Sequence, residues 1–306
     1  GTANFDKTGA MTLLNFTSLK MGPVTDLSLT LARGPNGDDY TLRGHALDGS
    51  MIGRNGARRG DGQGAAAPAP RDSMEGPFHI DAKLDRLAMR DGVSIAPFNL
   101  NLSGIGDRPA TLSLSGQLSK NAAIAGDIVM TPQGRRLSVT AGDAGLLLRG
   151  LFDFESMRGG RLSLAAILPG KAADPDVGPG TPDFTGNLTI QDFHIVNQPF
   201  LTRLFSAGSL TGLGDLMQGE GVSMDRLDMP FSSKNNVISV HDARVRGPAI
   251  GATADGYIDR PKNQLALKGS LGPAFGLYSV LGNIPVLGDL LVSKKGEGIF
   301  GVTYSA

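Results

Sequence analysis

Residues 78–86 read FHIDAKLDR. Phe78, Ile80, Ala82 and Leu84 alternate with His79, Asp81, Lys83 and Asp85. Successive side chains of an extended chain point to opposite faces, so this segment predicts a strand with one apolar and one polar face. Residues 110–118, ATLSLSGQL, repeat the pattern, setting Leu112, Leu114 and Leu118 against Thr111, Ser113, Ser115 and Gln117. Further out, TDLSLTLAR (25–33), GRLSLAAIL (160–168), GNLTIQDF (186–193) and NQLALKGSL (263–271) do the same. The segments recur roughly every 10 to 15 residues with Gly, Asn, Asp or Pro between them, the rhythm of hairpins and meanders in an antiparallel, mostly β protein.

Two stretches break the rhythm. Residues 199–218 (PFLTRLFSAGSLTGLGDLMQ) and 273–292 (PAFGLYSVLGNIPVLGDLLV) carry apolar residues near helical spacing. They predict two short helical units, the second divided at Pro285. Both units contain Leu-Gly-Asp-Leu and lead through Gly-Glu-Gly into an apolar alternating run, which reads as a duplicated helix-to-strand unit. Residues 55–76, rich in Gly, Ala, Pro and charge, read as a flexible insertion between strands. A Pro/Gly-rich linker at 169–183 divides a β region at 1–168 from a second at 184–306 that holds both helical units.

Composition narrows the function classes. The 306 residues carry 29 Lys plus Arg and 29 Asp plus Glu, so there is no basic excess of the kind nucleic-acid binding needs. The absence of Cys excludes disulfides, thiolate metal sites and a Cys nucleophile. No 18-residue apolar run is present, and the chain opens on Gly1 rather than Met, so it reads as a fragment of a longer protein. The four histidines, His45, His79, His194 and His241, lie in separate strand-like segments without metal spacing and read as polar-face or edge residues. There is no G-x-S-x-G elbow, and no G-x-G-x-x-G between a strand and a helix. In LGDLLVSKKGEGIFG (287–301), Lys294 and Lys295 precede the glycines and no Ser or Thr follows, so the order of a phosphate-binding loop is reversed. A glycosidase would line its cleft with aromatics, and this chain has no Trp and four Tyr. The expectation is a non-enzymatic protein with no metal and no cofactor.

A long sheet with one apolar face has to cover it. It can close on itself as a dry sandwich or barrel, or curl into a trough that a hydrophobic ligand covers. The inward residues are aliphatic, which suits acyl chains, whose recognition is non-directional. Period two alone does not decide between the two.

Three blocks carry a family resemblance. AGDAGLLLRGLFDFESMRGGRLSLAAIL (141–168), FTGNLTIQDFHIVNQPFLTRLFS (184–206) and NIPVLGDLLVSKKGEGIFGVTYSA (283–306) together resemble the C-terminal region of the AsmA-like family of Gram-negative envelope proteins, in its YhdP-like branch. Residues 1–140 resemble it in rhythm only, and 55–76 lie outside its pattern. The resemblance implies a periplasmic protein, anchored to the inner membrane by a segment outside this sequence, whose elongated, curved β-sheet trough carries phospholipid between inner and outer membrane. No catalytic residue comes with it.

On this reading the lipid groove is lined by Phe78, Ile80, Leu84, Leu112, Leu114, Leu162, Leu164, Leu188, Ile190, Leu265 and Leu267. Phe200, Leu204, Phe205, Leu277, Leu281, Ile284, Leu287 and Leu290 of the helical units are candidates for the groove end or for membrane contact, with packing as ordinary core the alternative. The expected partners are phospholipid or another acyl lipid and a membrane, not nucleic acid. The rival reading is an assembly factor for outer-membrane proteins that templates β-structure through exposed strand edges.

Overall fold

The computed structural model describes residues 1–52, 76–106, 108–132, 134–168, 184–197, 221–234, 237–248, 250–259, 264–273 and 300–305. Among them one helix and seventeen strands form a single sheet. The strands are β1 (Thr2–Phe5), β2 (Met11–Met21), β3 (Thr25–Gly34), β4 (Gly37–Asp48), β5 (Pro77–Ala88), β6 (Ser94–Ile95), β7 (Phe98–Ile105), β8 (Arg108–Ser119), β9 (Ala122–Thr131) and β10 (Gly134–Ala141). After the helix α1 (Ala144–Phe152) come β11 (Met157–Leu168), β12 (Phe184–Ile195), β13 (Val222–Lys234), β14 (Val237–Arg246), β15 (Ile250–Asp259), β16 (Gln264–Pro273) and β17 (Phe300–Ser305). The expected helical units at 199–218 and 273–292, the bulk of the 55–76 insertion and the 169–183 linker lie outside the described residues, except that Pro273 ends β16. No described helix is long and apolar enough to cross a membrane, which says nothing of a β-barrel.

Consecutive strands pair antiparallel in chain order, with the two-residue β6 riding on the end of β5 while β7 takes the main pairing. The order continues from β11 to β17 without a break, so the sheet is continuous across 169–183. Among the described residues β1 pairs only with β2, and β17 only with β16, so the sheet is unclosed. Tight turns such as Pro35–Asn36, between the paired Gly34 and Gly37, explain the meander.

One pairing departs from it. β4 and β5 run parallel, from Asp38 opposite Phe78 to Asp48 opposite Ala88. A parallel neighbour needs a crossover, here one that returns the chain along the twelve residues of β4, about 40 Å. The expected flexible insertion at 55–76 lies between these two strands in sequence, and most of it is outside the described residues. At the seam, Gly37 has φ +119, and a Cβ there would stand 2.2 Å from the carbonyl oxygen of Pro77. Only glycine lets the two strands start side by side.

The helix was not anticipated from the sequence. Asp143 caps it, its carboxylate accepting from the N–H of Leu146 at 2.9 Å, and Asp153 ends it in the left-handed region with φ 56. Leu147 enters the main core, and Leu146, Leu148 and Leu151 pack against it. Gly150 lets the helix close onto the β5–β6 connection, since a Cβ there would meet Met89 and Val93 at 2.8 and 3.1 Å. α1 also packs on β11 and β12. In a flat sheet β5 and β11 would stand about 24 Å apart. α1 packs on β11 and, through Gly150, on the connection that directly follows β5, so the sheet curves toward its apolar face and α1 straps that face at one end of the strands.

Candidate functional site

The register, not the alternation within any strand, defines the candidate site. Directly paired residues share a face. Followed from strand to strand, the apolar residues fall into rows perpendicular to the strands.

The row nearest α1 runs Leu27, Gly44, Leu84, Phe98, Gly116, Ile124, Ala141, Leu162, Ile190, Leu227 and Val245. Most of its large side chains are buried, Ile190 to 1% exposure. The middle row runs Phe16, Leu29, Leu42, Ala82, Leu100, Leu114, Gly126, Val139, Leu164, Leu188 and Met229. A third contains Leu31, Tyr40, Ile80, Leu102, Leu112, Ile128, Leu137, Ala166, Gly186, Phe231, Val240 and Leu267.

The middle row is the informative one. Phe16, Leu29, Leu42, Leu100, Leu114, Val139, Leu164, Leu188 and Met229 are all half-buried. Leu29, Leu42, Leu100, Leu114, Leu164 and Leu188 pack against the edge of the buried core. Among the described elements only α1 packs as a second layer, and it sits over β11 and β12. An aliphatic stripe thus crosses from β2 to β13, about 50 Å at the usual strand spacing.

All eleven groove candidates fall on this one face by register, at different depths. Leu84, Leu162 and Ile190 are buried in the core under the α1 end. Leu114, Leu164 and Leu188 belong to the half-buried middle row; Ile80, Leu112 and Leu267 are half-buried in the third. Phe78 and Leu265 lie one step further out, Phe78 with its ring against the bare backbone of Gly104 and Leu265 at the register position opposite Ile258. The helical candidates Phe200, Leu204, Phe205, Leu277, Leu281, Ile284, Leu287 and Leu290 lie outside the described residues. Sequence reading missed Leu29, Leu42, Leu100 and Val139 as lining. Each alternates within its own strand, but only the cross-strand register puts it in line with Leu114.

The opposite face is polar and laced with ion pairs. At the β4–β5 seam Arg43 meets Asp81, His45 meets Asp85 at 2.6 Å and His79 meets Asp39 at 3.4 Å. The Arg43 guanidinium beside Asp81 holds its carboxyl below the usual range; Arg226 does the same for Asp228 and Arg244 for Asp242. Among the described residues no three His, Asp or Glu side chains converge as a metal-binding set. Arg135, beyond the third row, is buried, and one guanidinium N–H donates to the carbonyl of Pro109. Burial first, then the charge of Arg108, pushes its pKa down.

A cavity of about 300 Å³ lies beside the start of α1, lined by Asp91, Asp143, Gly145, Leu146, Arg149, Glu155, Met157, Arg158, Gly159, Val196 and Asn197. Its charged groups are of both signs and it is separate from the apolar rows. No family model, curated protein or solved structure matches the chain.

Proposed function

We propose that the apolar face is a lipid track. On this reading the chain is a non-enzymatic carrier segment, working in the periplasm as part of an inner-membrane-anchored protein, and phospholipid acyl chains cross it between inner and outer membrane. The observation that carries the reading is the half-buried middle row, apolar throughout, aliphatic from Leu29 to Leu188 and without a covering layer among the described elements. Each buried CH₂ stabilises a bound chain by about 0.8 kcal/mol. The row offers no polar group that would fix a lipid at one point, so sliding from strand to strand meets no deep trap. Headgroups would stay at the rims, in water.

Native mass spectrometry of the purified chain, with lipid extraction alongside, tests this. Co-purified phospholipid that is lost in a still-folded Leu114→Asp or Leu164→Asp variant is the expected result. A stable, lipid-free monomer would overturn it.

One observation favours the rival assembly reading. β1 pairs only with Met11–Asn15 of β2, which leaves the outer edge of Phe16–Met21 without a partner among the described residues. Such an edge can accept another strand. If it is the functional surface, blocking it abolishes activity while lipid content stays unchanged.

A further inference from the structure

Four large apolar side chains are exposed together near the end of α1. Met51 is 67% exposed, Ile52 48%, Phe152 56% and Phe154 43%. They come from two segments far apart in sequence, and Arg90 holds these together. Its guanidinium donates to the carbonyl of Leu151 and, at 3.2 Å, to that of Ile52, while its Nε lies 3.7 Å from Asp153. The Arg90 side chain itself is only 13% exposed. The patch is therefore a built tip with a buried cation as its staple, not scattered surface hydrophobes.

Two features say what it faces. Part of the tip's backbone is satisfied internally: the N–H of Ile52 donates to Gly49, that of Asp153 to Arg149, and that of Phe154 to Leu148. Arg90 also holds the carbonyls of Leu151 and Ile52, and groups paired in this way need no water when the tip enters a lipid interface. Among the described residues the flanking charges are mixed and nearly balanced. Arg90 faces Asp153, Arg149 lies 3.0 Å from Asp91, and Glu155 and Arg158 line one cavity. Asp48 is turned in to the N–H of Ser50. A rim that mixes cations and anions, Arg90, Arg149 and Arg158 against Asp48, Asp91, Asp153 and Glu155, complements a surface of alternating phosphate and ammonium groups, and it gives no attraction to a net negative one.

We infer that this tip docks the protein onto a bilayer of zwitterionic phospholipid, Phe152 and Phe154 entering the acyl boundary with Met51 and Ile52 beside them. The docking does not depend on whether the apolar face carries lipid. The full chain is floated with phosphatidylcholine vesicles, and lipid left on protein is measured separately after the vesicles are removed. The wild-type chain is expected to float, at 0.1 M and 0.5 M salt alike. Phe152→Asn with Phe154→Asn should lower partitioning about tenfold or more while the thermal transition is retained. Because the chain has no Cys, a fluorophore on Glu155→Cys reports directly: its emission should shift to the blue on vesicles, and the same label on Asn36→Cys, in the opposite rim, should not. Three results would overturn the inference: no flotation, flotation that requires anionic lipid and disappears in salt, or concentration-dependent self-association that the double variant abolishes. Loss of carried lipid with flotation intact would count against the track and leave the docking tip standing.

Discussion

Arg43 and Asp81 face each other across the β4–β5 seam, the one place where the meander changes direction. Asp81 has its pKa lowered first by its hydrogen bond to Arg43; Asp228 and Asp242 are lowered by Arg226 and Arg244. A carboxylate whose folded pKa lies below its unfolded value contributes stability that is complete above the unfolded pKa, near 4, and lost as pH falls through the folded one. The melting temperature should therefore hold from pH 7 to about 5 and drop below about 4, and Asp81→Asn should flatten part of that drop. Thermal scans across pH, at low and high salt, measure it. Because these groups are largely exposed the effect should be small and weakened by salt. An Asn variant that melts with an unchanged acid limb would contradict the assignment. Gly37→Val tests the seam sterically. A β-branched side chain at φ +119, against Pro77, should cost several kcal/mol or prevent folding. The polar placement of His45 and His79 was legible from their position in period two. Their cross-strand partners Asp85 and Asp39 were not, because pairing β4 with β5 in parallel is a long-range choice.

At the scale of elements, α1 is the part the sequence concealed. Gly145 and Gly150 stand near its two ends and weaken helix propensity, so nothing local argues strongly for nine helical residues. The cap at Asp143 and the leucines that follow were the available signals. What makes the helix stable is tertiary: Ala144 is fully buried, and the leucines pack on the sheet's core. Asp143→Ala should cost about 1 kcal/mol in chemical denaturation. Gly150→Leu should cost more, since the added side chain must displace Met89 and Val93. The strands, by contrast, were readable wherever Leu, Ile or Val alternates with Ser, Thr or Asp. The crossover was missed for a physical reason: the polar, Gly-rich composition of the sequence between β4 and β5 would be the same whether it joined parallel or antiparallel neighbours.

At the scale of the whole molecule, the described residues form one unclosed sheet that curves toward a continuous apolar face. Its apolar residues form rows because seventeen strands keep one register phase, with bulges such as those between Asp228 and Phe231 and between Val240 and Ala243 absorbing the slips. The rows separate two kinds of substitution that look alike in sequence. Leu162 is 7% exposed, whereas Leu164, two residues on, is half-buried. Leu162→Asp should unfold the protein, and Leu164→Asp should leave a cooperative melt with acyl-chain binding lost. Equal destabilisation by both, seen by circular dichroism, would mean that the middle row is closed core. On the proposed lipid track, acyl chains lie along that row. Photocrosslinking with a phospholipid that carries a diazirine near the end of one acyl chain, mapped by peptide mass spectrometry, tests it most directly. Adducts on Leu29, Leu42, Leu100, Leu114, Val139, Leu164 and Leu188, across strand after strand, are the predicted result. Adducts confined to the polar face or to the β1 and β17 edges, or none at all, would contradict it.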